Sequence, residues 1–243
     1  KRQTFKCAFG HKAWSEWKEP YRTYNEKVVN EYLIRKRQEF LFWQFTQYIF
    51  LLQWNSLKDY AHSKNIELMG DIPLYLAYDS VEMWKYGDKL FMVDEYRRPE
   101  CVAGVPPDAF CDDGQLWGNP LYDWKKMRRD GYKWWNERIN ECLDFFDILR
   151  IDHFRGFDRF YAVKAGSLNA RKGEWLDGPK EELFKDKLDY KIVAEDLGVI
   201  DDGVRRLMKN VGYPGMKILE FAFDGSPDNE HKPSNFTHNY VCY

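Results

Sequence analysis

At 243 residues and 29.3 kDa the chain can bury a sizeable core, as one large α/β domain or two small ones. With 10 Trp, 16 Tyr and 17 Phe it is too aromatic for disorder, and 37 basic against 39 acidic side chains leave a net charge of −2, so no global field recruits nucleic acid or an anionic membrane. Cys7, Cys101, Cys111, Cys142 and Cys242 are odd in number and widely spaced, which fits neither a disulfide framework nor a zinc site and points to a reducing, cytoplasmic setting.

The chain opens at Lys1 without a signal-like segment and closes on the apolar run Asn239 to Tyr243, which reads as an interrupted strand. It is therefore expected to be an internal piece of a longer protein. Residues from about Glu26 to His62 lack Pro and Gly and read as one or two helices. Within them Phe40 to Trp54 is membrane-like, but Gln44, Thr46, Gln47 and Gln53 interrupt it and it falls short of the ~20 apolar residues of a span. A buried helix is the expectation there, with Trp14, Trp17, Trp43 and Trp54 as core residues.

Ile66 to Met69 follows as a short strand stopped by Gly70-Asp71-Ile72-Pro73. Tyr75 to Tyr122 is a long, Gly- and Pro-rich stretch whose aromatic content argues for order, and such inserts are often functional. Asp123 to Leu143 is helical despite Gly131. Three more strands are expected at Phe146 to Ile151, Lys191 to Ala194 and Met216 to Phe223, with a helix over Asp201 to Asn210 between the last two. Strand–helix alternation without a Gly-rich phosphate fingerprint favours a (β/α) barrel over a nucleotide-binding open sheet. On this register Lys217 falls at the start of its strand, the wrong end of a barrel for a Schiff-base lysine.

Asp71, Asp152 and Glu195 each fall at the C-terminal end of an expected strand, and in a (β/α) barrel those ends meet at the rim that carries the active site. Carboxylates gathered there suit glycoside chemistry, in which one attacks the anomeric carbon and another, kept protonated, protonates the leaving oxygen. Arg150, two residues before Asp152, shares its face of the strand and would favour the ionised nucleophile. Taken singly, each strand-end Asp is better read as a helix cap or turn residue; the three together, with Arg150 adjacent, bring the two readings nearly level.

Arg150-Ile151-Asp152-His153-Phe154-Arg155-Gly156-Phe157 resembles the nucleophile strand of the 4-α-glucanotransferases, the amylomaltase or disproportionating-enzyme family (glycoside hydrolase family 77). Ala194-Glu195-Asp196-Leu197-Gly198 resembles that family's acid/base segment. Gly70 to Pro73, Gly104 to Asp108, Gly114 to Tyr122 and Pro214 to Lys217 match in the family's order, so the resemblance covers essentially the whole chain. It implies a (β/α)8 TIM barrel of the α-amylase type, of which residues 1–243 form only a central part, about strands 3 to 6 and the start of 7. Residues 75–122 would be a substrate-groove insert within it.

The resemblance also implies a retaining transfer of α-1,4-glucan segments between maltooligosaccharides. Asp152 would be the nucleophile and Glu195 the acid/base, Arg150 and His153 would hold sugar hydroxyls, and Asp71, Gln115, Trp117 and Asn119 would line the groove. No metal or organic cofactor is implied, and nothing points to a protein partner. The family's third carboxylate belongs to a His-Asp-Asn motif expected shortly beyond a segment like His238 to Tyr243. Residues 1–243 alone are thus expected to be inactive, poorly soluble and unable to close a barrel. Other classes stay open. A hydrolase would share the chemistry; a metal-dependent sugar isomerase or lyase would use Asp152-His153 and Glu195-Asp196 as ligands; a non-catalytic piece would only bind glucan.

Overall fold

The computed structural model describes residues 1–108, 111–187, 189–198, 200–236 and 240–242. Helix α1 (Arg2–Ala8) buries Phe5 against Trp17 and Tyr32. Helix α2 (Glu26–Arg35) begins at Asn25, whose side chain accepts from the Val28 N–H, and after Lys36 the chain continues as α3 (Arg37–Ser63). Trp14 and Trp17 are buried as expected, whereas Trp43 and Trp54 are half-buried. The expectation of a buried helix does not hold for α3. Phe42, Phe45, Leu52, Leu57 and Tyr60 are exposed, and Ala61 is its one buried side chain. Apolar residues run around most of its circumference, and residues 1–243 cover only part of it.

Strand β1 spans Met69–Pro73, three to four residues later than the sequence suggests. Gly70, read there as a stop, lies inside the strand, where the Phe146 ring sits 2.1 Å from where a Cβ would be and leaves no room for a side chain. The stretch before residue 122 is not irregular throughout. It forms α4 (Val81–Leu90), β2 (Cys101–Val105) and β3 (Gln115–Pro120). Helix α5 (Trp124–Arg128) and helix α6 (Lys133–Phe145) are separated where Gly131 and Tyr132 take left-handed backbone angles.

Strand β4 (Ile148–Asp152) is followed by a 3₁₀ turn at Phe154–Phe157 and by the hairpin of β5 (Arg159–Lys164) and β6 (Gly173–Asp177). Then come β7 (Ile192–Ala194), α7 (Asp202–Val211), β8 (Gly215–Lys217) and β9 (Tyr240–Cys242). Helix α7 follows the sequence signals closely, from its Asp201 cap to Gly212 just past its end. Strand β8 is shorter than expected. The next backbone donor, Ile218 N–H, is taken by His231 Nδ1 at 3.1 Å, and Leu219–Phe223 coils into a 3₁₀ helix. Lys217 is thus the last residue of its strand, not the first, and its amine is paired with Glu230 at 2.7 Å.

Two sheets organise the molecule. The parallel sheet runs β1-β4-β7, with Asp71 opposite Arg150 and Pro73 opposite Asp152. Ala194 N–H donates to Pro214 O at 2.8 Å, linking β7 to the parallel β8-β9 pair. Among the described residues these strands do not close on themselves. An antiparallel sheet ordered β3-β2-β5-β6 stands beside the rim. Its β5–β6 half is absent from the sequence reading because Phe160 to Val163 are all buried, and a strand covered on both faces has no period-two pattern. Aromatic rings fill the space below the rim: Phe154 and Phe157 pack on Phe184 with centroids 5.3 and 5.1 Å away, and Phe157 lies 5.2 Å from Trp135. Each such pair adds about 0.5–1.5 kcal/mol beyond area burial, so the turn after β4 rests on a stiff floor. Among the described residues, no helix is long and apolar enough to cross a membrane.

Candidate active site

Parallel pairing brings together the carboxylates that the sequence holds far apart. Asp71 in β1 and Asp152 at the end of β4 are joined by Arg150, whose two terminal nitrogens lie 2.7 Å from Asp71 Oδ1 and 2.9 Å from Asp152 Oδ1. Its Nε faces Met216 Sδ at 3.1 Å, so β8 also fixes the guanidinium. A planar fork suits this bridging task, because its donors diverge at fixed angles while an ammonium acts as a point charge.

Immediately after Asp152 the backbone turns left-handed at His153, with φ 54°. For a residue with a Cβ this costs about 1–3 kcal/mol and persists only where its surroundings demand it. Here they do: His153 N–H donates to Glu195 Oε2 at 2.7 Å and Phe154 N–H to the Glu195 carbonyl at 3.1 Å. Leu197 N–H donates to Glu195 Oε1 at 2.8 Å. Each carboxyl oxygen of Glu195 is therefore gripped by one backbone donor. Burial pushes the Glu195 carboxyl above the usual carboxylate range, against the pull of these two donors, and the negative charge of Asp152 adds to the rise. The neighbouring Asp196 has a different task, accepting Met216 N–H at 2.7 Å, so the two acidic side chains do not form one ligand set. Among the described residues no three His, Cys, Asp or Glu side chains gather as a metal site.

A cleft of about 280 Å³ opens over this rim. Arg150, Asp152, His153 and Glu195 form its base, and Gln115 and Trp117 of β3 form one wall. The Trp117 indole meets the His153 ring edge-on at 4.7 Å and donates to Gln115 Oε1 at 3.1 Å. Burial, helped by the positive charge of Arg155, lowers the His153 pKa to about 4, so the imidazole is neutral at pH 7. Of the residues expected at the site, Asp71 and Asn119 do not line the cleft. Asp71 acts on it through Arg150, and the Asn119 amide donates to Leu76 O at 3.1 Å, bracing the loop after β1.

The sequence reading missed Arg155 and Trp175, both of which line the cleft. Arg155 lies within the motif quoted for the nucleophile strand, and its burial, at 5% exposure, is what marks it out. Trp175 reaches the cleft from β6, which has no sequence signal of its own. Asp108, from the quoted Gly104 to Asp108 segment, also lines it, together with Pro106 and with Val105, which pairs with Gln115. Ala109, Phe110, Leu188, Val199, Thr237, His238, Asn239 and Tyr243 lie outside the described residues.

Comparison with known proteins agrees with this geometry. A family model described as 4-alpha-glucanotransferase, glycoside hydrolase family 77, matches residues 3–243. The 4-alpha-glucanotransferase of Clostridium butyricum is 41% identical over 242 residues, which are 98% of this chain and 50% of that protein. Its counterpart in Streptococcus pneumoniae is 43% identical over 240 residues, 97% of this chain and 47% of that one. The structure of amylomaltase from Streptococcus agalactiae in complex with acarbose superposes with a TM-score of 0.93 at 38% identity, covering 99% of this chain and 50% of that one. The chain thus spans about half the length of these relatives. An amylomaltase from Corynebacterium glutamicum, 17% identical with a TM-score of 0.70 over 92% of this chain and 29% of that one, shares the fold. The sequence motifs, the parallel rim and these matches converge, and the chain belongs to the 4-alpha-glucanotransferase family, glycoside hydrolase family 77.

Proposed function

We propose that the intact protein transfers α-1,4-glucan segments between maltooligosaccharides by a retaining double displacement, and that residues 75–122 supply part of the groove that holds the glucan. The observation that carries this reading is the pairing of unlike carboxyls in one cleft: Asp152 held by Arg150, and Glu195 buried and pushed towards its protonated form. One nucleophile and one proton donor are what glycoside transfer requires.

In the first step Asp152 attacks the anomeric carbon of a bound glucan while Glu195 gives its proton to the departing glycosidic oxygen. The bond to the leaving chain breaks as the bond to Asp152 forms, leaving a β-linked glycosyl-enzyme and an ionised Glu195. In the second step the 4-hydroxyl of an acceptor loses its proton to Glu195 and attacks the same carbon, which restores the α-linkage and frees Asp152. Arg150 holds Asp152 Oδ1, which leaves the other oxygen open for the attack. Neutral His153 and the Trp117 indole offer a hydrogen-bonding group and an apolar face to the sugar. Water and sugar compete for the intermediate, and the walls contributed by Trp117 and Trp175 favour the sugar by displacing water. Two carboxyls about 5–5.5 Å apart are the expected spacing for this route.

The test is incubation of the intact protein with maltotriose. Glucose should appear together with a ladder of longer maltooligosaccharides while the number of reducing ends stays nearly constant. A steady rise in reducing ends would make the protein a hydrolase.

A further inference from the structure

Each oxygen of Glu195 is held by a backbone donor from a different loop. The His153 N–H comes from the turn after β4 and the Leu197 N–H from the segment after β7. Both segments lead within a few residues to one ion pair. Arg155, two positions after His153, places a terminal nitrogen 3.1 Å from Oδ2 of Asp201, four positions after Leu197. The Arg155 side chain is almost fully buried, and its guanidinium lies over the Trp175 ring with 4.1 Å to the centroid. Asp201 uses its other oxygen to cap α7 through Gly203 N–H and Val204 N–H, at 3.0 and 3.1 Å. The cap is packed tightly, because a Cβ on Gly203 would stand 2.3 Å from Asp158 Oδ2. Arg155 thus joins three parts of the cleft: the turn after the nucleophile, the hairpin that carries Trp175, and the loop after the acid/base.

We infer that Arg155 is a positioning residue for the reaction: with Asp201 it sets the separation of the two loops whose N–H groups hold the Glu195 carboxyl, and it seats the Trp175 wall on the same clamp. This rests on the reading of Glu195 as acid/base. The guanidinium is almost fully buried against an aromatic face while Asp201 is half exposed, so the cost of weakening the pair falls on the buried end, and a change at either end should propagate to the loops it joins. Loosening them lengthens two hydrogen bonds that favour the ionised carboxyl, while Asp152 and Arg150 remain the charges acting on it. Among the described residues the titratable groups facing the guanidinium include Asp201, Asp158, Arg159, the His153 ring and the Tyr75 hydroxyl.

The experiment compares the intact protein with its Arg155→Gln and Asp201→Asn variants, following maltotriose disproportionation across pH 5 to 9 with thermal melts as a check on folding. Asn retains the cap, being as good a cap residue as Asp, but removes the charge that Arg155 meets. Both variants should lose about tenfold in kcat, the equivalent of one misplaced catalytic contact, with KM within about twofold. In both, the basic limb of the kcat–pH profile should move to higher pH, because a carboxyl with weaker donors gives up its proton later. A residue needed only for folding would leave that limb in place. If Arg155→Gln does not fold, Asp201→Asn decides alone. Folded variants with the parent's kcat and basic limb overturn the inference and leave the proposed function standing. An intact parent that does not disproportionate maltotriose overturns the proposed function, and the inference with it.

Discussion

Replacing Arg150 by Lys keeps the charge but not the fork. The guanidinium makes two charge-assisted contacts to separate carboxylates, 2.7 Å to Asp71 and 2.9 Å to Asp152, on side chains spaced by adjacent strands. A single ammonium on a flexible stem reaches one of them well, and the other loses its partner. A hydrogen bond to a charged group contributes about 1.5–3 kcal/mol, and each 1.36 kcal/mol is tenfold in rate. If the lost contact is the one that orients Asp152, kcat should fall by roughly 10- to 150-fold. If Lys keeps Asp152 and releases Asp71, the loss should appear in KM instead, because a cation no longer anchored by Asp71 would hold the bound sugar less firmly. Glucose release from maltotriose by the intact protein, measured from well below to well above KM, separates the two cases. Activity within about threefold of the parent in both parameters would show that the fork geometry is irrelevant and that Arg150 supplies only charge.

Other expectations follow from the same geometry. Asp152→Asn should abolish turnover, and Glu195→Gln should lower kcat on maltotriose by roughly 10²–10⁴; comparable residual activity in both would undo the division of roles between them. Trp117→Ala should raise the ratio of hydrolysis to transfer or weaken glucan binding, because the wall beside His153 would be lost; an unchanged product ladder and KM would remove Trp117 from the site. His153, with a folded pKa of about 4 against 6.5 unfolded, contributes stability that is complete above pH 6.5 and declines as pH falls towards 4, since only the unfolded chain takes up the proton. Between pH 7 and pH 5 the parent should lose roughly 2 kcal/mol that His153→Gln does not, and equal losses in urea denaturation would contradict the neutral, buried imidazole.

What the sequence disclosed and what it hid have separate physical causes. The meeting of Asp152 and Glu195 at one rim was legible because parallel strands end in short polar segments, and a barrel brings those ends together. Helix α7 was legible because its Asp201 cap and the Gly212 beyond its last turn are local chemistry. Strand β5 was not, because both of its faces are buried, and with it went Trp175, which reaches the cleft only through pairing between β5 and β6. Arg155 stood in a motif already singled out, yet its role depends on Asp201, 46 positions away. Asn119 was assigned to the groove from its motif, which does not disclose that its amide donates to the Leu76 carbonyl and braces a loop. The exposed face of α3 was misjudged because composition reports how apolar a helix is and says nothing about what packs against it.

The most direct test of Asp152 as nucleophile uses an α-maltosyl fluoride, whose leaving group departs without help from an acid. In the intact protein carrying Glu195→Gln, the first displacement should proceed and the second should stall for lack of a base, so a glycosyl-enzyme should accumulate. Peptide mass spectrometry should then find one maltosyl unit on the peptide containing Asp152, released when azide, a nucleophile needing no base, is added. A folded variant that consumes the fluoride with no adduct, or with the sugar on another residue, would contradict the assignment of Asp152.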